Sequence, residues 1–299
     1  MTSIRDVLED GAAVLAGAGV AEAKRESLVL WASVMECSPG QVWLQREVGA
    51  ETALVGRFRE AVERRAQGIP AAYATGTAAF RTLELKVDPR VLIPRPETEG
   101  IVDHVLAHFA VLPYYRSLVS SDGVPGKERS WGVAADVGTG SGCIALSLAV
   151  EGKFERVIAT DASEGALEVA KENARQLGAG VEFRLGDLVS PLAGETVDVF
   201  VSNPPYVTDA EWEALDAAVK DHEPRDALVS GADGLRATRA LIEGASDIVC
   251  AGGLLAIEID CRRAGAVLEL ARDAGWSTAR IEHDPFDRPR YLLAIRGTA

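Results

Sequence analysis

Two patterns of apolar and polar residues divide the chain at about residue 76. Up to residue 68, apolar residues recur every three to four positions, which is typical of helices that bury one face. Two such stripes are formed by Leu28, Trp31, Ala32 and Met35 and by Leu54, Phe58, Ala61 and Val62. Pro39 and Gly68 interrupt the pattern where helices are expected to end. We therefore predict a small helical domain at residues 1–76.

A period of two replaces the helical period between residues 80 and 93. Alternating apolar residues on either side of residues 88–90 predict a β-hairpin-like connector, which we assign to residues 77–96. At the end of this connector, Pro94 and Pro96 exclude a central strand. Pro96 also suits the first turn of a helix.

From residue 131 onward, short apolar runs alternate with helical patterns. Strands are predicted at residues 133–137, 156–160, 181–185, 197–202, 253–259, 277–282 and 291–296. This alternation predicts parallel strands joined by right-handed crossovers, an α/β fold with a doubly wound sheet, which we assign to residues 97–299. Ligands of doubly wound sheets bind at the carboxyl ends of the strands.

Residues 114–130, which precede the first of these strands, are rich in Ser, Gly and charge and predict a surface loop without a catalytic role.

The composition is that of a folded globular protein. The 299 residues are 47% hydrophobic and 25% charged, and the formal net charge is −14. This acidity disfavours stable binding to nucleic acid, because the phosphate backbone attracts clustered Lys and Arg. The first residues carry acids and no long apolar segment, so we expect neither a signal peptide nor a membrane anchor, and a cytoplasmic protein. Four widely spaced cysteines without a CxxC pair indicate free thiols and no metal site.

A glycine-rich loop follows the first strand of the second domain. It consists of Gly138, Thr139, Gly140, Ser141 and Gly142. Glycine lets the chain turn sharply and lets a ligand approach the backbone, and the following helix presents free N–H groups. The GxGxG spacing matches neither a P-loop, which needs a Lys-Ser/Thr pair, nor the GxGxxG dinucleotide fingerprint. It indicates a ligand site and disfavours a nicotinamide-dependent dehydrogenase.

Two carboxylates follow the next two strands. Asp161 ends the second strand, where such folds bind ribose hydroxyls; the alternative is that it caps the helix that begins near Ser163. Asp187 follows the third strand, where its carboxylate suits the amino group of a nucleobase, with Leu188 packing on the ring. For this pair the alternative is an ordinary turn at a strand end.

The sequence VFVSNPPYV, residues 199–207, carries the most specific chemistry. Asn203 Oδ1 and the Pro204 carbonyl can accept the two hydrogens of a planar –NH₂ group, and neither proline contributes a competing N–H. Tyr206 can stack on the plane of that group. Accepting both hydrogens aims the nitrogen at an electrophilic methyl group, so catalysis requires positioning and electrostatics rather than a strong base. The alternative is a turn in which Asn203 caps a helix.

These motifs together resemble a known family. Over nearly its whole length the chain is similar to the bacterial release factor glutamine N5-methyltransferases, which use S-adenosylmethionine to methylate the Gln of Gly-Gly-Gln in class I peptide release factors. The similarity lies in the helical N-terminal domain and in the segments GIPAAYATGTAAF, VLIPRPETE, DVGTGSGCIAL, ATDASEGALEVAKENA, VSNPPYV and HEPRDALVSGADGL. NPPY alone is shared with adenine-N6 methyltransferases of DNA, so the combination with LIPRPETE and HEPR carries the resemblance.

The resemblance implies a Rossmann-like sheet of seven strands with an antiparallel final strand. It also implies S-adenosylmethionine as cofactor, S-adenosylhomocysteine as product, class I release factors as partners, a monomer, and substrate recognition by the N-terminal domain. The cofactor-binding residues that it implies are Gly138, Thr139, Gly140, Ser141, Gly142, Asp161, Asp187, Leu188, Asn203 and Phe80. The implied substrate-binding residues are Asn203, Pro204, Pro205, Tyr206, Arg95, Glu97 and Thr98, of which the first four are also the catalytic set.

The chain departs from the family's pattern in two places. Arg81-Thr82 precedes Leu83 where the family often has Gly or Ser, and residues 258–263 read EIDCRR where it often has Glu-Ile-Gly and a nearby Gln. The second departure keeps open an enzyme that acts on another amide or amine, in a protein, a small molecule or adenine N6.

Two further alternatives concern catalysis itself. A non-catalytic donor-binding module would be expected to lose Asn203 or the glycine loop, and both are intact. His222 suggests an acid or base in isolation, but methyl transfer to an amide needs none, so we favour a structural role for the HEPR segment.

Overall fold

The computed structural model describes residues 2–119 and 130–298. The chain forms two compact units: Met1–Ala78 with Lys86–Pro89 and Asp216–Glu223, and Ala79–Leu85 with Arg90–Leu215 and Pro224–Ala299.

Helices dominate the first unit, as the apolar stripes predicted. They are α1 (Ile4–Gly17), α2 (Ala23–Val34), α3 (Pro39–Gln45), α4 (Thr52–Ala66) and α5 (Ala71–Thr75). Ser3 and Ser38 form capping boxes that satisfy the first N–H groups of α1 and α3. The core contains Trp31 of α2 and Phe58 of α4, whose ring centroids lie 5.1 Å apart in an edge-to-face contact.

A hairpin lies within the predicted connector, but its turn and second strand come earlier than expected, and residues 91–93 form no strand. The strands are β1 (Thr77–Phe80) and β2 (Leu83–Lys86), so the chain reverses at residues 81–82 and not around residues 88–90. Arg81 takes a left-handed conformation with φ 54°. Its backbone N–H donates to Glu99 Oε1 at 2.9 Å and its guanidinium donates to Glu151 and Asp103. These long-range bonds hold a turn that the local sequence does not signal.

The helix that begins at Pro96 is longer than the sequence suggested. It is α6 (Pro96–Val119), and Pro96 occupies its first turn as predicted. The helix includes residues 114–119, so the prediction of a loop from residue 114 is wrong for these positions. A polar composition favours the surface but does not end a helix by itself. The rest of the predicted loop, residues 120–129, lies outside the described residues.

The second unit alternates strands and helices in the predicted order. Its further elements, with α10 of the first unit, are β3 (Val133–Val137), α7 (Cys143–Glu151), β4 (Arg156–Asp161), α8 (Glu164–Leu177), β5 (Glu182–Leu185), β6 (Val197–Ser202), α9 (Asp209–Glu213), α10 (Ala217–Lys220), α11 (Arg236–Ile248), β7 (Val249–Glu258), α12 (Ala264–Asp273), β8 (Thr278–His283) and β9 (Pro289–Ile295).

Seven strands between residues 133 and 295 form one sheet in the order β5-β4-β3-β6-β7-β9-β8. The pairs from β5 to β7 are parallel, and β9 runs antiparallel to both β7 and β8. The predicted doubly wound, seven-stranded sheet with an antiparallel final strand is confirmed. Because the chain leaves β3 first toward β4 and later returns to β6 on its other side, the strand order reverses at β3 and β6.

Apolar residues fill both faces of the sheet. One cluster joins β3, β6 and β7 to α6 and α7, and the other joins the alternate residues of those strands to α11 and α12. Strands buried on both faces explain the nearly continuous apolar runs of the sequence. No helix within residues 2–119 and 130–298 is long and apolar enough to cross a membrane.

Candidate active site

The glycine loop connects β3 to α7 at the point where the strand order reverses. Gly138, Gly140 and Gly142 all have positive φ, at 74°, 56° and 87°. A Cβ atom added to Gly138 or Gly140 would meet nothing within 4 Å, so the backbone there borders open space. At Gly142 a Cβ atom would lie 2.9 Å from Leu146 Cδ1, and the left-handed φ of 87° itself favours glycine there. The first two glycines therefore form an open backbone cradle.

Asp136 holds this loop through hydrogen bonds from the end of β3. The residue is fully buried at the end of β3, and its Oδ2 accepts hydrogen bonds from Thr139 Oγ1 at 2.6 Å and the Ala145 N–H at 3.1 Å. Burial raises its pKa to about 7, against the effect of these two hydrogen bonds. Asp136 thus links the loop to the first turn of α7.

Asp161 lies beside the cradle, at the end of β4. Its Oδ2 accepts from the Gly140 N–H at 2.9 Å and its Oδ1 accepts from the Ser163 N–H at 2.8 Å. Ser163, not Asp161, caps α8, because its side chain accepts from the Ala166 N–H. Burial raises the pKa of Asp161, while the backbone hydrogen bonds lower it. The carboxylate fixes the loop and has lone pairs left for a ligand hydroxyl.

Asp187 and Leu188 follow β5 at the same edge of the sheet. Asp187 is exposed, and its carbonyl accepts from Ser190 Oγ at 2.7 Å. Leu188 has φ 48°, a left-handed conformation that is strained for a branched side chain. Such strain is maintained where the surrounding structure imposes it, which fits a residue that borders a ligand site.

Asn203 follows β6 directly and contacts the N-terminal turn of α6. Its Nδ2 donates to Thr98 Oγ1 at 3.0 Å. Among the described residues, no donor reaches Asn203 Oδ1 or the Pro204 carbonyl. The protein itself therefore supplies no donor, within the described residues, to the two acceptors that the sequence singled out. Asn203 caps no helix, since the next helix, α9, is capped by Thr208.

Glu258, the last residue of β7, lies behind Thr98. Both side chains are buried, at 1% and 2% exposure, and Thr98 is hydrogen-bonded to the Glu258 carboxylate. Burial raises the pKa of Glu258 to about 7, while Thr98 and the charge of Arg290 lower it. Burial and the Glu258 charge together raise the pKa of Tyr206 to about 12, further above physiological pH than that of an ordinary phenol.

The segment that carries Thr98 is held by β9 and the loop before it. The Tyr291 hydroxyl donates to the Glu97 carbonyl, and Arg288 Nη2 donates to Glu97 Oε1 at 3.1 Å. Gly100 is necessary here, because a Cβ atom would lie 2.3 Å from the Tyr291 hydroxyl oxygen. Glu97 is thus engaged on its own chain, and a direct contact of Glu97 or Arg95 with substrate stays a prediction.

Phe80 is placed differently from the other predicted ligand-binding residues. It is 1% exposed and packs in the apolar cluster with Leu83, Leu85 and Ile101. The structure gives it a packing role, and its contact with a cofactor stays a prediction.

The unusual segment after β7 forms a charged cluster next to the Asn-Pro-Pro-Tyr segment. Arg263 donates to Asp260, to both oxygens of Glu211 at 2.9 Å and to the Asp233 carbonyl at 2.8 Å. Arg262 also pairs with Asp260 and Glu211. Burial raises the pKa of Asp260, but the hydrogen bonds and charges of the two arginines outweigh it, so the net pKa is lowered.

Sequence reasoning missed the Thr98–Glu258 contact and this charged cluster. Thr98 and Asn203 are 105 positions apart, and nothing in the local pattern relates either to Glu258. The sequence showed that residues 258–263 are unusual, but it did not show that Arg262 and Arg263 pair with Glu211, which lies on α9. No group of three or more His, Cys, Asp or Glu residues that could hold a metal ion occurs within the described ranges.

Comparisons with known proteins agree with this architecture. A family model described as the methyltransferase small domain matches residues 126–224, and one described as the PrmC N-terminal domain matches residues 6–76. The release factor glutamine methyltransferase of Moorella thermoacetica is 39% identical over 98% of this chain and 99% of its own. The enzyme of the same name from Bacillus subtilis is 38% identical over 90% of this chain and 89% of its own. A methyltransferase structure from Pyrococcus furiosus superposes with a TM-score of 0.52 at 19% identity, over 74% of this chain and 92% of that one.

The doubly wound sheet, the glycine cradle and the matching domain define a Rossmann-like methyltransferase. More narrowly, the chain belongs to the release factor glutamine methyltransferase family.

Proposed function

We propose that this enzyme transfers a methyl group from S-adenosylmethionine to the side-chain amide nitrogen of the Gln in the Gly-Gly-Gln motif of class I peptide release factors. Membership of the family supports the reaction and the substrate. The observation that carries the chemistry is a pair of acceptors at the carboxyl end of β6, Asn203 Oδ1 and the Pro204 carbonyl, which no donor of the described residues reaches.

The glycine cradle fits the proposed donor. Its open space at Gly138 and Gly140 admits a ligand against the backbone, and Asp161 beside it offers lone pairs to ribose hydroxyls. Asp187 and Leu188 follow the neighbouring strand, where an adenine ring would be bound. When bound, S-adenosylmethionine supplies an electrophilic methyl group on a sulfonium. We assign these residues to its binding.

The reacting amide nitrogen is a weak nucleophile, because its lone pair is delocalised. Asn203 Oδ1 and the Pro204 carbonyl would each accept one of its hydrogens, which fixes the plane of the amide and raises electron density on nitrogen. The neutral phenol of Tyr206, whose pKa burial raises to about 12, would cover one face of that plane. The enzyme thus contributes positioning and hydrogen-bond acceptors, and the proton leaves after methyl transfer has made the nitrogen acidic.

We assign the remaining predicted roles as follows. The N-terminal helical domain, residues 1–76, would bind the release factor, and the connector, residues 77–96, would join it to the methyltransferase domain at residues 97–299. The protein would act as a monomer in the cytoplasm, where translation takes place.

A second substrate class deserves a parallel assay, because the segment after β7 departs from the family's pattern. Its arginines are paired within the protein, and the charged cluster packs beside the residues that follow Tyr206. The cluster therefore accounts for the altered residues structurally. An adenine N6 would satisfy the same two acceptors as a glutamine amide, so only the assay separates them.

The test is methyl transfer by the full-length protein with radiolabelled S-adenosylmethionine. A purified class I release factor should be labelled, and its Gln→Ala variant in Gly-Gly-Gln should not. Labelling of duplex DNA, but not of the release factor, would contradict the proposal.

A further inference from the structure

Three side chains from distant parts of the chain form a row that ends at the candidate active site. Asn203 Nδ2 donates to Thr98 Oγ1 at 3.0 Å, and Thr98 is in turn hydrogen-bonded to the Glu258 carboxylate. Thr98 and Glu258 are 2% and 1% exposed, so water does not compete for these bonds. The row connects the first turn of α6, the end of β6 and the end of β7.

The chemistry of the three groups gives the row one direction. A threonine hydroxyl has a single hydrogen, and an ionised carboxylate can only accept. Thr98 must therefore donate to Glu258, which leaves its oxygen to accept from Asn203. Only the NH₂ side of the Asn203 carboxamide can satisfy that oxygen, so the carbonyl side, Oδ1, stays available.

The direction matters because a carboxamide is nearly symmetric in shape. A half-turn about its last bond exchanges Oδ1 for Nδ2 at almost no steric cost. With Nδ2 outward, Asn203 would offer two hydrogens to a substrate amide whose own hydrogens need an acceptor. One orientation of Asn203 is productive, and the other opposes binding.

We propose that Thr98 and Glu258 are positioning residues that fix the orientation of the Asn203 carboxamide, so that Oδ1 rather than Nδ2 meets the substrate –NH₂. This inference rests on the proposed function and goes beyond it by giving roles to two residues that act through Asn203. Stability gives no reason for a carboxylate at position 258, since Glu258 Oε2 is buried without a hydrogen-bond partner among the described residues. A carboxylate at position 258 is explained instead by the need for a hydrogen-bond acceptor behind Thr98.

The groups that face Glu258 determine how the row responds to pH. They are Arg95 and Glu97 before and within α6, Cys143 of α7, Tyr206 after β6, and Arg290 and Tyr291 of β9. A protonated Glu258 can donate to Thr98, which allows the row to reverse and Asn203 to turn over. Burial raises the pKa of Glu258 to about 7, so turnover should fall as the pH drops through that value.

The kinetic test uses Thr98→Val, which keeps the shape and removes the hydroxyl, and Thr98→Ser, which restores it. Thr238→Val is the matched control, because Thr238 is also buried, at 1% exposure, and lies on α11 outside the site. We expect Thr98→Val to lower kcat for the release factor about tenfold, with donor Kd by calorimetry within about twofold of wild type. Thr98→Ser should recover most of the loss, and Thr238→Val should show none. Wild-type kcat in Thr98→Val would overturn the inference.

Glu258→Gln provides a second variant with a different readout. A glutamine cannot titrate, so the acid-side fall in turnover near pH 7 should disappear, and turnover should be low at all pH values because Gln can donate as well as accept. An unchanged pH profile in Glu258→Gln would contradict the role assigned to Glu258.

A measurement without substrate separates this inference from the proposed function. In isotope-labelled protein, the side-chain NH₂ of Asn203 should show a nuclear Overhauser contact to the γ-methyl group of Thr98. Thr98→Val keeps a γ-methyl group at this position, so a weaker contact in the folded variant would report that the Asn203 carboxamide has turned over. If the wild-type contact is present but no release factor is methylated, the orienting row stands and the proposed function fails. If methylation occurs and Asn203 keeps its orientation in Thr98→Val, the inference on Thr98 fails alone.

Discussion

Replacing Arg263 should destabilise the second unit far more than replacing its neighbour Arg262. Both arginines pair with Asp260 and Glu211, and both changes remove one positive charge. They differ in burial: the Arg263 side chain is 14% exposed and that of Arg262 is 63% exposed. The comparison therefore isolates the effect of burial on one cluster.

The magnitudes follow from what each change leaves behind. Arg263→Ala removes the donors to Asp260, Glu211 and the Asp233 carbonyl and leaves the Asp260 carboxylate, 6% exposed, with only one arginine. Breaking a buried pair costs about 3–5 kcal/mol. Because Arg262 remains bonded to Asp260 and Glu211 is partly hydrated, we expect about 2–3 kcal/mol. For Arg262→Ala we expect about 0.5 kcal/mol, the ordinary value of an exposed pair.

The assay is urea unfolding followed by tryptophan fluorescence at neutral pH, in low salt and in high salt. High salt should reduce the small effect of Arg262→Ala and leave most of that of Arg263→Ala, since buried pairs are screened less. Arg263→Lys should recover little, because an ammonium group cannot reproduce the fork of hydrogen bonds. Equal losses for the two alanine variants would refute the reasoning.

Three further predictions concern the site. Asn203→Ala should lower turnover at least about 100-fold while calorimetry still detects donor binding, because an acceptor at the reacting nitrogen is lost; unchanged turnover would refute its role. Gly140→Ala, at φ 56°, should cost ~1 kcal/mol of stability and weaken donor binding about tenfold. Gly178→Ala, at φ 63° after α8, should cost a similar amount of stability and leave donor binding intact. Equal donor affinities of the two variants would show that the cradle is not the donor site. The pKa of Glu258 is raised from 4.5 to about 7 in the folded chain, so the folded chain holds the proton more tightly and stability falls as the pH rises through that window. Glu258→Gln should therefore raise the unfolding free energy at pH 8, by at most about 3 kcal/mol, and not at pH 4.5. Denaturant titration at the two pH values measures this difference. A larger gain at the acid end would contradict that sign.

Features that depend on neighbouring residues were predictable from the sequence. The apolar run at residues 197–202 became β6 with the expected bounds, and Pro96 became the first residue of α6. Asn203 and the glycine loop could be assigned to one edge, because parallel strands place their carboxyl ends together. The order of strands and helices then fixed the doubly wound sheet.

Features that depend on distant partners were not predictable. The turn at Arg81 is left-handed because Glu99, Asp103 and Glu151 hold that residue, and none of these is near it in sequence. In the same way, the hydrogen-bond partners of the Thr98 hydroxyl, Asn203 and Glu258, are brought to it only by the fold. Local patterns therefore pointed to the segment that we propose to hold the substrate, but not to the residues that we propose to orient it.

The central claim is that Asn203 Oδ1 and the Pro204 carbonyl, after β6, hold a glutamine amide for methylation. The most direct measurement is mass spectrometry of a class I release factor after incubation with the enzyme and S-adenosylmethionine. We predict a mass increase of one methyl group, assigned by fragmentation to the side chain of the Gln in Gly-Gly-Gln and absent with Asn203→Ala. A release factor left unmodified, or modified at another residue, would contradict the account.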